Sequence, residues 1–292
     1  MSVVLVTGAS SGIGRAVALA LADRGDTVVL TARSYDALAE VAGQCEERGG
    51  QALVAPADVG SREAVESAFE LAAAEVGRID AVVNAAAVLA YGRFEDVPAE
   101  VFDRVHRTNV IGAANVARAA LDHFDEHGGG SLVLLGSVVG KISVPMMSTY
   151  VSSKWAVHGL ARTLQLEARR TPGVHVTLVS PGGVDTPIYR LAGSYTGHAH
   201  RPPPPVDSPE KVVAAVLEAL EKPRRESSVG LANGVMVAGF RLLPAVFDLL
   251  VGPLAAIATT SRAERAPSAG NVLEPEPGER SVRDGWWTLP GR

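Results

Sequence analysis

The stretch "VVLVTGASSGIG", residues 3–14, joins an apolar β-branched run to a glycine-rich turn and to the start of an alanine-rich helical pattern. Gly8, Gly12 and Gly14 let the backbone pass close to a pyrophosphate, whose charge then lies on free N–H groups at the positive end of the helix. The spacing is T-G-x-x-x-G-x-G and not G-x-G-x-x-G. The stretch predicts a dinucleotide phosphate site in a first βαβ unit.

The same alternation continues along the chain, because short β-branched runs alternate with alanine-rich helical stretches such as residues 62–78. Runs that are apolar on both faces are typical of a parallel sheet covered by helices on both sides. We therefore predict an α/β fold with a doubly wound (Rossmann) parallel sheet. The predicted strands cover residues 3–6, 27–30, 51–58, 80–86, 131–137 and 174–180.

The last third of the chain is less regular. The proline-rich segment 201–209 predicts a stiff extended loop, 209–223 predicts a helix, and 227–231 predicts an edge strand. We expect a catalytic and cofactor-binding domain over residues 1–232. A C-terminal extension over 233–292 would consist of an apolar helical part and then a polar, proline-rich tail.

The composition, 47% apolar and 20% charged, is that of a globular domain, and the net charge of −5 gives no reason to expect nucleic-acid binding. Cys45 is the only cysteine, which excludes an internal disulfide, and no Cys/His grouping has zinc spacing. We therefore expect no metal and a reducing compartment. The apolar run at Val3 leaves no room for a preceding signal peptide, which favours a cytoplasmic location.

A second motif, "YVSSK" at residues 150–154, places a phenol and an ammonium one helical turn apart, so both face the same way in a helix. Together with the glycine turn, it resembles the short-chain dehydrogenase/reductase family over about residues 3–232. The resemblance implies an oxidoreductase that uses a nicotinamide cofactor. The catalytic residues that it implies are Asn109 in "RTNV", Ser137 in "GSVVG", Tyr150 and Lys154.

The resemblance also implies where the cofactor binds. Asp58 would bond the adenine ring, and "PGGVDTP" at residues 181–187 would form the turn that binds the nicotinamide. Asn84 opens "NAAA" where the family usually has N-N-A-G, so Ala85 and Ala87 depart from the family pattern. The implied cofactor-binding residues are Thr7, Gly8, Ser10, Ser11, Gly12, Ile13, Gly14, Arg33, Asp58, Val59, Asn84, Ala85, Tyr150, Lys154, Pro181, Gly182, Val184 and Thr186.

The reaction needs a phenol that exchanges a proton near neutral pH, although an unperturbed tyrosine has a pKa of ~10. The charge of Lys154, one turn away, favours the phenolate. Tyr150 can then act as general acid in carbonyl reduction and general base in alcohol oxidation, while Ser137 hydrogen-bonds the substrate oxygen. The resemblance adds that Lys154 holds the nicotinamide ribose and that Asn109 positions a proton-relaying water.

The end of the second strand indicates which cofactor is used. An NAD-preferring site usually has a carboxylate there, which bonds the ribose 2′-hydroxyl. This chain reads "LTARS" at residues 30–34, where Arg33 suits a 2′-phosphate. Asp36 lies past the strand end, at the predicted start of a helix. We therefore predict NADP(H) and regard NAD(H) as the less favoured cofactor.

The leading interpretation is an NADP(H)-dependent carbonyl reductase or alcohol dehydrogenase. The alternative is a non-catalytic NADP-binding scaffold or redox sensor, which would not need the four catalytic residues together. His158 could face the site, but packing or exposure is the favoured reading. His198 and His200 could contact a substrate or metal, although solvent exposure is favoured, and Tyr189 and Tyr195 could line a substrate pocket.

Residues 234–260, "GVMVAGFRLLPAVFDLLVGPLAAIATT", form the most apolar stretch. Arg241 and Asp248 divide it into runs shorter than the ~20 residues of a membrane span, and Pro244 and Pro253 would break or kink a helix. Its apolar face could pack on the chain's own core, a partner subunit, a lipophilic substrate or a membrane surface. We expect it to enclose an apolar substrate and to meet a partner in a homo-oligomer. The apolar positions are Leu243, Phe247, Leu250 and Leu254.

Overall fold

Seven parallel strands form the central sheet of the chain in the computed structural model, which describes residues 1–276 and 280–286. The strands are β1 (Val3–Thr7), β2 (Thr27–Thr31), β3 (Gln51–Val54), β4 (Ala81–Asn84), β5 (Gly130–Leu135), β6 (Val174–Pro181) and β7 (Glu226–Val229). Their order is β7-β6-β5-β4-β1-β2-β3, and each neighbouring pair is parallel. The predicted doubly wound parallel sheet is confirmed.

Helices cover both faces of this sheet. They are α1 (Gly12–Ala22), α2 (Tyr35–Glu47), α3 (Arg62–Val76), α4 (Ala99–His106), α5 (Gly112–Glu126), α6 (Ser148–Glu167) and α7 (Pro209–Glu221). One apolar cluster joins the sheet to α1, α2 and α7 through residues such as Val17, Leu38 and Val216. A second apolar cluster joins the opposite face of the sheet to α3, α5 and α6. Both faces of the sheet are therefore buried, as the continuous apolar runs of the strands predict.

The strand order reverses between β1 and β4. From β1 the chain winds through β2 and β3 to one edge, and from β4 it winds through β7 to the other edge. Connections that leave in opposite directions open a crevice at the carboxyl ends of the two strands, where α/β proteins bind ligands. Thr7 and Asn84 are register partners at those ends. The glycine turn that follows Thr7 therefore lies at the crevice.

Three strands end earlier than the sequence predicts. β3 ends at Val54 instead of 58, β4 at Asn84 instead of 86, and β5 at Leu135 instead of 137. Beyond these ends, Ala57, Asp58, Ala85, Ala86 and Ser137 line a cavity at the carboxyl edge of the sheet. The predicted edge strand is present as β7, which pairs in parallel with β6.

After β7 the chain forms α8 (Asn233–Leu242) and α9 (Pro244–Thr259), so the break predicted at Pro244 is confirmed. Pro253 instead lies inside α9. The buried Asn233 amide donates to the carbonyl oxygens of Ser180 at 3.3 Å and Val229 at 2.8 Å, and these bonds attach α8 to the edge of the sheet. None of the helices in the described ranges is both long enough and apolar enough to cross a membrane.

The chain then returns across the carboxyl edge of the sheet. A short strand, Thr260–Glu264, pairs with His198–His200. Residues 268–276 and 280–286, called here the C-terminal strap, follow it. Val272 of the strap is fully buried in a cluster with residues that include Val88 and Val101. Part of the predicted polar tail, residues 277–279 and 287–292, lies outside the described residues.

Candidate functional site

The glycine turn folds as its sequence predicts. Gly8 has a φ of +67°, and a Cβ at this position would lie 2.8 Å from the backbone nitrogen of Ala86. A Cβ on Gly14 would lie 2.3 Å from the carbonyl oxygen of Gly8, so the turn packs too closely for any other residue. The closely packed backbone at the start of α1, with the positive end of the helix dipole, fits a pyrophosphate.

A single cavity of about 690 Å³ begins at this turn. It brings together most of the residues that the sequence assigns to the cofactor, and it extends to Ser137 and Tyr150. The predicted cofactor residues that line it, in addition to Tyr150, are Gly8, Ser10, Ser11, Gly12, Ile13, Gly14, Arg33, Asp58, Val59, Ala85, Pro181, Gly182, Val184 and Thr186.

Thr7 and Asn84 lie behind the cavity wall. The Thr7 hydroxyl donates to Asn84 Oδ1 at 2.7 Å and accepts from the backbone nitrogen of Ala86 at 3.2 Å. These bonds hold the ends of β1 and β4 together at the point where the strand order reverses. In this structure their side chains shape the site and do not line it.

Ser137, Tyr150 and Lys154 meet at the end of β5. Ser137 follows that strand directly, and α6 carries Tyr150 and Lys154. Lys154 Nζ lies 5.4 Å from the centre of the Tyr150 ring and donates to the carbonyl oxygen of Leu135 at 2.8 Å. Ser137 lies near enough to the Tyr150 phenol to influence its pKa. The arrangement places a proton donor, a second hydroxyl and a cation together beside the cavity.

Burial determines the protonation of this group. Burial raises the pKa of Tyr150 and Tyr189 adds to the increase, whereas the Ser137 hydroxyl opposes it. Burial also lowers the pKa of Lys154 to about 8. The sequence predicts a Tyr150 pKa lowered by Lys154, but in the structure the desolvation of the phenol is the larger effect. At neutral pH the phenol is protonated, as a general acid requires.

Asn109 lies in a single π-helical turn, Arg107–Ile111, between α4 and α5. Its Oδ1 accepts from the backbone nitrogen of Val88 at 2.8 Å, and its Nδ2 donates to the carbonyl oxygen of Val88 at 2.8 Å and to Ser153 Oγ at 3.0 Å. The side chain thus ties the segment after β4 to α6, one residue before Lys154. It holds α6, the helix that carries Tyr150 and Lys154.

Arg33 lines the cavity but contacts the C-terminal strap. Its guanidinium donates to the carbonyl oxygens of Asn271 at 2.6 Å, Val272 at 3.3 Å and Leu273 at 3.2 Å. The backbone nitrogen of Gly12 donates to the carbonyl oxygen of Ser281 at 2.9 Å. No local pattern in the sequence predicts these contacts, because they join residues far apart in the chain.

Asp58 lies at the same end of the cavity. Its carboxylate pairs with Arg104 and accepts from the backbone nitrogen of Gly60 at 2.9 Å. Burial would raise the pKa of Asp58, but the bonds from Arg104 and Gly60 lower it. Asp58 is therefore an ionised acceptor beside the space predicted for adenine. Arg104 is a site residue that the sequence analysis missed.

The histidines pack beside the site. The backbone nitrogen of Ser137 donates to His158 Nε2 at 3.3 Å, and burial lowers the pKa of His158 to about 4. His158 is therefore packed inside the fold, which is one of the two positions that the sequence favoured. Its ring also holds the backbone of Ser137 in place. The predicted solvent exposure is correct for His198 and wrong for His200. His200 is buried, and its ring stacks on that of Tyr91 with the ring centroids 3.7 Å apart. The described residues contain no group of side chains suited to a metal ion.

The other end of the cavity is apolar. Tyr189 lines it, as the sequence analysis allowed, whereas Tyr195 packs against the cluster that contains Val272. The loop before α6 contributes Val139, Ile142, Val144, Pro145 and Met147. The pair α8–α9 contributes its apolar face, which includes Leu243, Phe247, Leu250 and Leu254.

The sequence has relatives among characterised and uncharacterised oxidoreductases. A family model described as short chain dehydrogenase matches residues 2–194. An uncharacterized oxidoreductase of Bacillus subtilis, YxnA, is 37% identical over 254 residues, which are 85% of this chain and 71% of the relative. A probable tetrahydroxynaphthalene reductase of Zymoseptoria tritici is 36% identical over 189 residues, 64% of this chain and 70% of the relative.

Solved structures agree with this assignment. An alcohol dehydrogenase from Thermococcus sibiricus, complexed with 5-hydroxy-NADP, has a TM-score of 0.68 at 31% identity and covers 78% of this chain and 96% of its own. An actinorhodin polyketide ketoreductase with NADPH has a TM-score of 0.71 at 28% identity, over 80% of this chain and 97% of its own. This chain is therefore an oxidoreductase that belongs to the short-chain dehydrogenase family.

Proposed function

We propose that this oxidoreductase transfers a hydride between NADP(H) and a carbonyl compound or secondary alcohol, with Tyr150 as general acid and base. The observation that carries the proposal is the contact of the Tyr150 phenol with Ser137, with Lys154 Nζ 5.4 Å from the ring centre. Both hydroxyl residues line the cavity that begins at the glycine turn.

In carbonyl reduction, the protonated phenol of Tyr150 donates its proton to the substrate oxygen as negative charge develops there. The Ser137 hydroxyl hydrogen-bonds the same oxygen, and its backbone is held by His158. The ammonium of Lys154 stabilises the phenolate that remains on Tyr150. In alcohol oxidation the proton moves in the opposite direction. The bound nicotinamide supplies or accepts the hydride.

Two observations favour NADP(H) over NAD(H). The end of β2 carries Arg33 and no carboxylate, and Asp36 lies in the first turn of α2, where an acid favours the helix dipole. Similar solved structures contain NADPH or an NADP derivative, according to their descriptions. Arg33 lies among Arg104, Arg280, Asp58 and Glu274, and its guanidinium is the group that suits a further phosphate.

The substrate end of the cavity favours an apolar substrate. No charged side chain lines the wall formed by residues 138–147 or the wall formed by α8 and α9. An apolar wall with a few polar groups at one end is the usual form of a small-molecule site. A lipophilic carbonyl compound fits this wall, with its reacting oxygen directed towards Ser137 and Tyr150.

The homo-oligomer, the cytoplasmic location and a peripheral membrane contact through residues 234–260 stay predictions. Leu242, Leu249 and Ile257 are among the side chains of α8 and α9 that are exposed and absent from the cavity wall. An exposed apolar surface of this kind suits a second protein surface or a membrane surface.

The test is a turnover screen over apolar ketones of increasing size, with NADPH and NADH, monitored by loss of reduced-cofactor absorbance. Tyr150→Phe removes the transferable proton and keeps the ring, so kcat should fall by at least ~10²-fold while NADPH affinity changes little. Tyr35→Phe, at an exposed tyrosine on α2, is the matched control. A Tyr150→Phe variant with more than half of the wild-type activity would refute the proposed role.

A further inference from the structure

Tyr91 is a buried residue in the wall of the cavity, and its hydroxyl is not used by the proposed reaction. The residue is 1% exposed, lines the cavity, and its phenol oxygen has no hydrogen-bond partner among residues 1–276 and 280–286. Most buried polar groups in proteins have a partner, so a group that lacks one within the fold calls for a ligand or water that supplies it.

The position of the Tyr91 ring is fixed. It lies in a short strand, Ala90–Tyr91, whose register partners are Gly193 and Ser194. The ring stacks on His200 at 3.7 Å between centroids with an angle of 13° between the planes, and Thr196 Oγ1 hydrogen-bonds His200 Nε2 at 2.8 Å. The hydroxyl is therefore held in place before any ligand binds, which is a requirement for selective recognition.

Three of the five tyrosines line the cavity. Among these three, Tyr91 is the one whose phenol oxygen is both buried and without a hydrogen-bond partner within the described residues. Burial raises the pKa of Tyr91, and Tyr189 and Tyr150 raise it further, so its hydroxyl stays protonated at neutral pH. Tyr91 is thus a protonated donor beside the reaction centre and outside the catalytic group.

We propose that the Tyr91 hydroxyl binds a second oxygen of the substrate, so that the substrates are lipophilic carbonyl compounds with a further hydroxyl or carbonyl group. The inference rests on the proposed function, since it takes Ser137 and Tyr150 as the site of the reacting oxygen. The apolar wall from α8 and α9 accommodates the carbon skeleton. A substrate without the second oxygen leaves the buried hydroxyl unpaired, and sites of this kind discriminate strongly against such analogues.

The experiment compares trans-decalone with decalindiones whose second carbonyl is on the other ring. Wild type should prefer at least one dione by about tenfold or more in kcat/KM, the scale of one satisfied buried hydrogen bond. Tyr91→Phe keeps the ring stacked on His200 and removes only the hydroxyl. It should abolish this preference, mainly by raising KM for the dione, while turnover of decalone stays within about twofold of wild type or improves.

Two variants control this comparison. Thr108→Val removes the other buried hydroxyl among the cavity-lining residues that has no partner within the described ranges, and Tyr35→Phe removes an exposed phenol. Both should retain the preference for the dione. An equal loss for both ketones in Tyr91→Phe, a retained preference in that variant, or loss of the preference in Thr108→Val would each overturn the inference.

Calorimetry separates this inference from the proposed function. Binding of decalone and the diones is measured with wild type and Tyr91→Phe in the presence of NADPH. If wild type binds a dione more tightly than decalone and Tyr91→Phe does not, the Tyr91 site is supported even where no turnover occurs. No difference between the ketones in wild type binding overturns it, whereas loss of turnover in Tyr150→Phe alone tests only the proton donor.

Discussion

Lys154 is an ammonium that is 4% exposed and bonded to one backbone carbonyl, that of Leu135. Its Nζ lies over the ring of Tyr150, 5.4 Å from the ring centre. Removal from water lowers the pKa of Lys154 to about 8, so the charge that stabilises a phenolate disappears within an accessible pH range. The residue therefore links the catalytic geometry to pH.

We expect kcat/KM for ketone reduction, with saturating NADPH, to fall as the pH rises through about 8, because Lys154 then becomes neutral. The direction follows from the requirement for the protonated amine. Lys154→Arg keeps the charge at all accessible pH values, so its alkaline decline should shift to higher pH. Thermal unfolding and NADPH binding check that the variant folds, and an unchanged alkaline limb would contradict the assignment to Lys154.

Arg33 is the residue that we expect to select the cofactor. Arg33→Ala should lower the ratio of kcat/KM for NADPH to that for NADH by about tenfold or more, since a charge-assisted hydrogen bond contributes ~1.5–3 kcal/mol. Arg48→Ala, which removes an exposed cation paired with Asp23, is the control. Equal losses with both cofactors would mean that Arg33 serves only to hold the C-terminal strap.

At the scale of elements, α9 has two distinct sides. Leu250 lines the cavity, whereas the adjacent Leu249 is 74% exposed and does not. No residue of α9 is fully buried, so the helix forms a thin wall between the cavity and the surroundings. This arrangement agrees with the expectation that residues 234–260 enclose an apolar substrate.

Substitution on the two sides of α9 tests this wall. Leu250→Asn should raise KM for bulky apolar ketones several-fold and leave that for small ketones nearly unchanged, because it removes an apolar contact of ~1–3 kcal/mol with the distal part of the substrate. Leu249→Asn is the matched control and should leave both KM values unchanged. Similar KM values for Leu250→Asn and wild type over the whole ketone series would exclude a substrate-lining role.

At the scale of the whole molecule, the C-terminal strap contacts the groups that we expect to bind phosphate. Ser281 accepts from the backbone nitrogen of Gly12, and the carbonyl oxygens of Asn271, Val272 and Leu273 accept from Arg33. Asp185 Oδ1 accepts from the backbone nitrogens of Asp284 at 3.2 Å and Trp286 at 3.1 Å. The end of the chain is thus attached across the mouth of the cofactor site.

Two truncations separate these contacts. Deleting residues 280–292 frees the Gly12 N–H, which would serve the pyrophosphate of either cofactor, so NADPH and NADH should both bind more tightly. Deleting 268–292 also frees Arg33, so binding of NADPH should tighten further relative to NADH. Calorimetric Kd values measure both effects. Weaker binding of NADPH by the truncated proteins would mean that the strap completes the cofactor site.

The longer truncation should also reduce stability. It removes the fully buried Val272, and burial of a valine side chain contributes ~1.5–3 kcal/mol to the free energy of unfolding. The shorter truncation keeps Val272 and should reduce stability less. Denaturant unfolding of both proteins gives the comparison, and equal losses would contradict a specific contribution from Val272.

The sequence by itself determined the parallel sheet, the glycine turn and the one-turn spacing of Tyr150 and Lys154 on α6. Alternating apolar runs, glycines that exclude a Cβ and a Tyr–Lys pair one turn apart are local signals, and each acts within one or two elements. The same is true of the apolar face of α9, whose four predicted positions all line the cavity.

Only the tertiary structure decided what those elements meet. The pairing of Asp58 with Arg104, the stacking of Tyr91 on His200 and the contact of Arg33 with residues 271–273 join residues far apart in the chain. Desolvation, which reverses the pKa expected for Tyr150, is likewise a property of the packed site. Neither spacing nor composition encodes such contacts, because they depend on which loops converge at the carboxyl edge of the sheet.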